Sequence, residues 1–154
     1  MARGDFTVFN ELSVSLAEKK INLETDTIKL ALITNGVTPA ANDTDPQWGA
    51  GSGVDYDGNE VGTGGGYSAG GLACANPSFV RSGDTGTFDA DDPSALAQDG
   101  SGFTNAYYGI LYSDTATNKE CIGFLDLDGP VSEQAGPIDI DWHADGIFDI
   151  QCNP

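Results

Sequence analysis

The chain has one histidine, His143, in the segment DIDWHADG between Asp141 and Asp145. A Ser–His–Asp arrangement would have to use it as the base. The sequence offers no nucleophile elbow to accompany it, and its neighbours put it where a strand runs into a turn, so a turn histidine outranks a catalytic base. A lone histidine also excludes a multi-histidine metal site. Paired carboxylates abound: Asp55 and Asp57, Asp89 with Asp91 and Asp92, Asp126 and Asp128, Asp139 and Asp141. Glycoside hydrolysis needs two carboxyl groups facing each other across a sugar. Closeness in sequence does not supply that geometry, and among 24 acidic residues such pairs discriminate little.

Hard cations favour clustered carboxylate and carbonyl oxygens, and DYDGNE (residues 55–60) resembles part of a calcium loop. Its glycine, Gly58, is off the EF-hand position, and the twelfth residue is Gly66 instead of glutamate. A divalent cation such as calcium therefore ranks below a solvated acidic loop, and no other cofactor is expected. Cys74, Cys121 and Cys152 match neither a zinc site nor a CxxC redox pair, so buried reduced thiols are expected. The glycine-dense stretch GTGGGYSAGG (residues 62–71) formally satisfies the dinucleotide pattern G-x-G-x-x-G/A from Gly64 to Ala69. That fingerprint requires a buried strand before it and a helix after it. Here VDYDGNEVGT precedes it, and GLACANPSF leaves no room for a helix before Pro77, so a structural hinge at Gly66, Tyr67, Gly70 and Gly71 is the better reading. There the backbone passes close to a neighbour, and Tyr67 is the expected anchor, its ring buried and its hydroxyl on a polar partner. The tripeptide Arg3-Gly4-Asp5 reads as a chance match to an adhesion motif.

The elements that carry these groups are short. FNELSVSLAEKK places Phe9, Leu12, Leu16 and Ala17 at helical spacing, with Asn10 as N-cap and lysines near the far end. This predicts one amphipathic helix over residues 10–19, although Leu12, Val14 and Leu16 also alternate as a strand would. DTIKLALITNG alternates Ile28, Leu30 and Leu32 with Lys29, Ala31 and Ile33 and closes on Asn35-Gly36, a turn signal; it is the clearest strand. Residues 105–114, 120–129, 136–145 and 146–152 repeat the idea. The expectation is a mainly β fold: an antiparallel β-sandwich or barrel-like single domain over residues 1–154, with one short N-terminal helix and long Gly/Asp-rich loops. The loop over residues 35–66 is too long for an ordinary connection, hence functional or mobile. A second, over 81–102, is expected to hold a short strand TGTF and a helical turn over 93–98.

A chain of 154 residues suits one core. Its formal charge of −18 is uneven: beyond Lys29 only Arg81 and Lys119 face nineteen acidic residues. Binding to nucleic acid or anionic lipid depends on lysine and arginine, so neither is an expected partner. Eighteen of the 24 acids are aspartates, which favour turns because their short carboxylates bond nearby amides. The start of the chain lacks a signal-like apolar run and no stretch approaches a membrane span, which predicts synthesis and assembly in a cytosol.

Taken in order, FTVFNEL, DTIKLALITNG, GGYSAGG, AYYGILYSD, IGFLDLDG and GPIDIDWHADGIFDI resemble a family of small tailed-bacteriophage virion proteins across most of the chain. Each motif alone is weak, and the specificity lies in their series. The resemblance implies a non-enzymatic structural protein present in many copies, a capsid decoration or cement protein that stabilises the head. It implies the major capsid protein and further copies of the chain as partners, in a homo-oligomer such as a trimer, and the capsid surface as location after synthesis in the host cytoplasm. A tail or fibre component touching the host, or a virion-associated glycan hydrolase, are the alternatives. No catalytic residue carries over. The nearly neutral N-terminal segment, with Phe6, Val8 and Phe9, is the candidate partner contact, against the alternative that these side chains complete the protein's own core.

Overall fold

A computed structural model describes residues 6–49 and 51–152. The apolar runs assemble as two antiparallel sheets. The larger contains β1 (Phe6–Val8), β2 (Ile28–Ile33), β3 (Leu72–Cys74), β6 (Ala106–Ser113) and β7 (Cys121–Val131), in the order β1-β7-β6-β2-β3. The smaller contains β4 (Ser78–Ser82), β5 (Thr85–Asp89) and β8 (Phe148–Gln151), in the order β4-β5-β8. The fold is mainly β, as the alternating segments predict, and the two sheets stay open instead of closing into a barrel.

β2 explains the layering. Leu30 lies opposite Leu111 of β6 on one side and Leu72 of β3 on the other, so the strand is interior to the sheet and buried on both faces. Ile28, Leu30 and Leu32 join an apolar cluster with Leu111, Ile122 and, from the smaller sheet, Phe88. Ala31 and Ile33 point the other way, into a second cluster with Ile110, Tyr112 and Phe124. Two-sided burial is why the strand reads as a nearly continuous apolar run instead of an apolar–polar alternation.

The second face is covered by the stretch expected to be functional or mobile. Trp48 and Tyr56, from residues 35–66, are buried there together with Phe9. The backbone of this stretch is tied down: Gln47 N–H donates to Val54 O at 2.8 Å, Trp48 N–H to Lys119 O at 3.0 Å, and Val61 N–H to Leu32 O at 3.0 Å. Its described residues form a packed cover for the larger sheet. An irregular chain can do this because its amides find partners in carbonyls of other segments, as buried backbone must.

Three further expectations are corrected. The helix, α1, is only Leu12–Ala17; Glu11 occupies its N-cap without a side-chain bond, and Asn10 does not cap it. Lys19, at φ 59°, ends it, so the lysines lie beyond the last turn. Residues 136–145 are not a strand: Ile138 and Ile140 are buried in alternation, but the only ladder contact there among the described residues is Ile138 with Leu96. Alternation records burial on one side, and a strand also needs a partner along its edge. That same contact, with N–H···O bonds of 2.8 Å in both directions, extends the chain where a helical turn over 93–98 was expected. The short strand expected at TGTF is present as the first four residues of β5, and its hairpin partner β4 has a weaker pattern, with Val80 63% exposed.

Candidate functional site

The glycine-dense stretch folds as two successive turns. Gly64 and Tyr67 exchange backbone bonds at 3.0 and 3.2 Å, Gly71 N–H closes on Ser68 O at 3.0 Å, and β3 starts at Leu72. Two glutamates hold it. Gly66 N–H donates to Oε1 of Glu133 at 2.8 Å, and Gly70 N–H donates to Oε1 of Glu60 at 2.7 Å. Glu133 is completely buried. The loop wraps it so closely that a Cβ on Gly65, at φ 56°, would lie 2.4 Å from its Oε1, and one on Gly102 would lie 2.5 Å from its Oε2. Two of the amides that this stretch would offer a phosphate, those of Gly66 and Gly70, are thus taken by the protein's own carboxyl groups.

Tyr67 is the anchor of this arrangement. It is 2% exposed, its ring meets Phe103 edge-on at 5.3 Å, and its hydroxyl accepts from Leu32 N–H and donates to Glu60 Oε1, both at 2.9 Å. Burial first, then the neighbouring Glu60, raises its pKa well above the ordinary phenol value. Tyr67→Phe is expected to cost about 2–3 kcal/mol, because it strands a buried strand amide and half of a carboxyl's donors. Urea unfolding measures this, and a loss below about 0.5 kcal/mol would contradict the anchoring role. Glu133 escaped the sequence reading because it sits in the bland segment SEQAG and binds an amide 67 positions away; no local pattern announces such a contact.

The three residues proposed as a partner contact separate. Phe9 is 1% exposed, stacked on Tyr56 at 5.8 Å and against Phe124 at 5.3 Å; it belongs to the core and is corrected as a contact residue. Phe6 and Val8 remain half-buried on β1, at the end of the strand order. The Phe6 ring lies between Trp142, edge-on at 6.0 Å, and Phe148, stacked at 6.1 Å. It opens on a cleft of about 400 Å³ between β7 and residues 138–147, with an apolar floor of Leu125, Leu127, Ile140 and Ile147 and with Asp139, Asp141 and His143 also among its lining residues. His143 is a turn residue, its side chain 76% exposed, with Nδ1 accepting from Asp145 N–H at 3.2 Å.

Two of the four acidic groupings serve turns, as does Asp99 outside them. Asp55 Oδ1 accepts from Gly49 N–H and Asp57 N–H, Asp126 Oδ1 from Asp128 N–H, and Asp99 Oδ1 from Ser101 N–H. Burial and the adjacent Asp55 raise the pKa of Asp57. Among the described residues, no group of three or more His, Cys, Asp or Glu side chains is arranged to hold a metal ion. Asp114 lies 2.9 Å from Lys29 Nζ and 3.0 Å from Lys119 Nζ; the Lys29 bond, and then Lys119, hold its pKa below the ordinary carboxylate value. These groups are partly exposed, which limits such a pair to under about 1 kcal/mol. Cys74 and Cys121 are buried, whereas Cys152 is exposed, contrary to the expectation for all three.

Among the described residues no helix is long and apolar enough to cross a membrane. Arg3-Gly4-Asp5 lies outside the described residues. Comparison with known protein families, curated proteins and solved structures gives no match.

Proposed function

We propose that this chain is a non-enzymatic structural protein of a bacteriophage virion, a decoration or cement protein that binds the capsid shell in many copies and stabilises the head. The observation that carries the reading is a contrast in how side chains are used. The glycine-loop amides and many of the carboxylates are engaged in holding the fold, while an apolar surface beside β1 stays open. Such a molecule is built to bury surface against a partner. The ordered series of segments from FTVFNEL to GIFDI supports a virion as the setting. A charge of −18 keeps the unassembled protein soluble and away from packaged nucleic acid. On this reading the major capsid protein and further copies of the chain are its partners, and no metal or cofactor takes part.

Adding the purified protein to heads that lack it is expected to raise their resistance to heat and osmotic shock, with a saturable number of copies bound per head. Absence of binding together with unchanged resistance would overturn the proposal. Gold-labelled protein on intact particles is expected on the head; label confined to the tail would replace this reading with a tail or fibre role.

A further inference from the structure

The cleft beside β1 differs from the rest of the core in two respects. Its floor is incompletely sealed: Leu127, Ile138, Ile140 and Ile147 each retain 8–9% exposure, whereas Leu30, Leu32, Leu111 and Ile122 retain none. Half-buried Phe6 borders it, held between two further aromatic rings. An apolar recess with an aromatic wall suits one bulky hydrophobic side chain, because desolvating such an anchor supplies most of the energy of a small interface.

The second difference is electrostatic. Asp139 and Asp141 are exposed on the rim and accept no hydrogen bond from the described residues, unlike Asp55, Asp99 and Asp126, which cap turns. Two carboxylates without a role in the fold, beside an open apolar floor, form a negative collar. The field of the whole chain has the same sign, which opposes a second copy or an anionic molecule and favours a cation.

We propose that this cleft docks an extended partner segment that inserts one aromatic or branched apolar residue into the recess and places lysine or arginine against Asp139 and Asp141. The inference deepens the decoration reading by naming the chemistry of the partner's contact, and it is testable without capsids. A random dodecapeptide library displayed on yeast is selected on the full-length protein, and enriched peptides are then measured against wild type and an Asp139→Lys/Asp141→Lys variant. Both positions are exposed, so the variant is expected to keep the wild-type circular dichroism and melting temperature.

Enriched peptides are expected to pair a bulky apolar residue with nearby lysine or arginine, to perturb Trp142 fluorescence, and to bind the variant at least about tenfold more weakly. Neutral or acidic winners, equal affinity for both proteins, or no enrichment would each overturn the proposal. So would a wild-type dimer that the variant loses, since a second copy would then fill the cleft. Heads keep the two readings apart. If peptides bind as expected but heads do not bind wild type, the decoration reading falls and the cleft stands. If heads bind wild type and variant equally, the decoration reading stands and the cleft proposal falls.

Discussion

Replacing Gly71 by valine is expected to remove a large part of the stability of this fold. Gly71 has φ 85°, a left-handed conformation that a β-branched residue adopts only under strain. Space is the larger obstacle: a Cβ there would lie 2.2 Å from Leu30 O and 2.6 Å from Ala31 Cα, both backbone atoms of interior strand β2. Neither can move without parting β2 from β3, whose pairing is only Ile28 with Cys74, Lys29 with Ala73 and Leu30 with Leu72. Backbone strain of about 1–3 kcal/mol and overpacking of a similar size combine with the loss of ladder bonds. The total of about 4–6 kcal/mol compares with a stability of about 5–15 kcal/mol for a whole domain. Gly71→Ala should cost less, about 3 kcal/mol, because it lacks the branched methyls. Gly62, whose Cβ would meet nothing within 4 Å, supplies the control, and Gly62→Ala is expected to melt like wild type. A Gly71→Ala chain that also melted like wild type would show that the close approach of loop and strand is misplaced.

The second large effect is an alkaline unfolding transition. Tyr56, Tyr67 and Tyr112 are 0–2% exposed, and their hydroxyls donate to Asp43 at 2.5 Å, Glu60 at 2.9 Å and Gly70 O at 2.7 Å. Burial is the main cause that raises all three above the ordinary phenol value, and nearby carboxylates add to it. Burial also pushes the Cys74 thiol up to about 12 and the Cys121 thiol well above its usual range. Each group is neutral when protonated, and the fold retains the proton longer than the unfolded chain does. The stability from these shifts is therefore whole below pH 9 and falls as pH rises through the unfolded values of 9.0 for cysteine and 10.0 for tyrosine. Each group contributes a loss of about 1.4 kcal/mol per pH unit until its folded value is reached. By about pH 11 the three tyrosines and Cys74 together remove on the order of 7 kcal/mol, and Cys121 adds to this, a loss comparable to the whole stability. Tyrosinate absorbance and far-ultraviolet circular dichroism should change together in one steep step between about pH 10 and 11.5. Smooth tyrosine titration near its ordinary value, with the circular dichroism intact, would contradict this account.

The strands were legible where burial leaves a repeating trace. β2, β6 and β7 each contain hydrophobic runs that only a sheet interior accommodates, and their segments were recognisable within a few residues of their ends. The segment over 136–145 carried the same trace and misled, because Ile138 and Ile140 are buried by a chain that lacks a neighbouring strand along most of its length. The stretch over 35–66 misled in the opposite direction. Its polar, aspartate-rich composition conceals two aromatic residues, Trp48 and Tyr56, that roof the larger sheet. A cover held by scattered backbone bonds to Lys119 and Leu32 has no period to detect.

The same division runs through the site. Composition and order alone determined a mainly β, strongly acidic chain, because strand alternation and charge are properties of neighbouring residues and of sums. They also identified the loop at Gly66, Tyr67, Gly70 and Gly71 and named Tyr67 as its anchor, since clustered glycines around one aromatic mark close packing. Only the tertiary structure decided what the loop closes on. Glu133 and Glu60 reach it from 67 and 10 positions away and take the amides at Gly66 and Gly70. Only the tertiary structure, likewise, sent Phe9 into the core and left Phe6 beside an open cleft. Both outcomes depend on which distant chain segments arrive at the same place, and long-range packing, not local spacing, sets that.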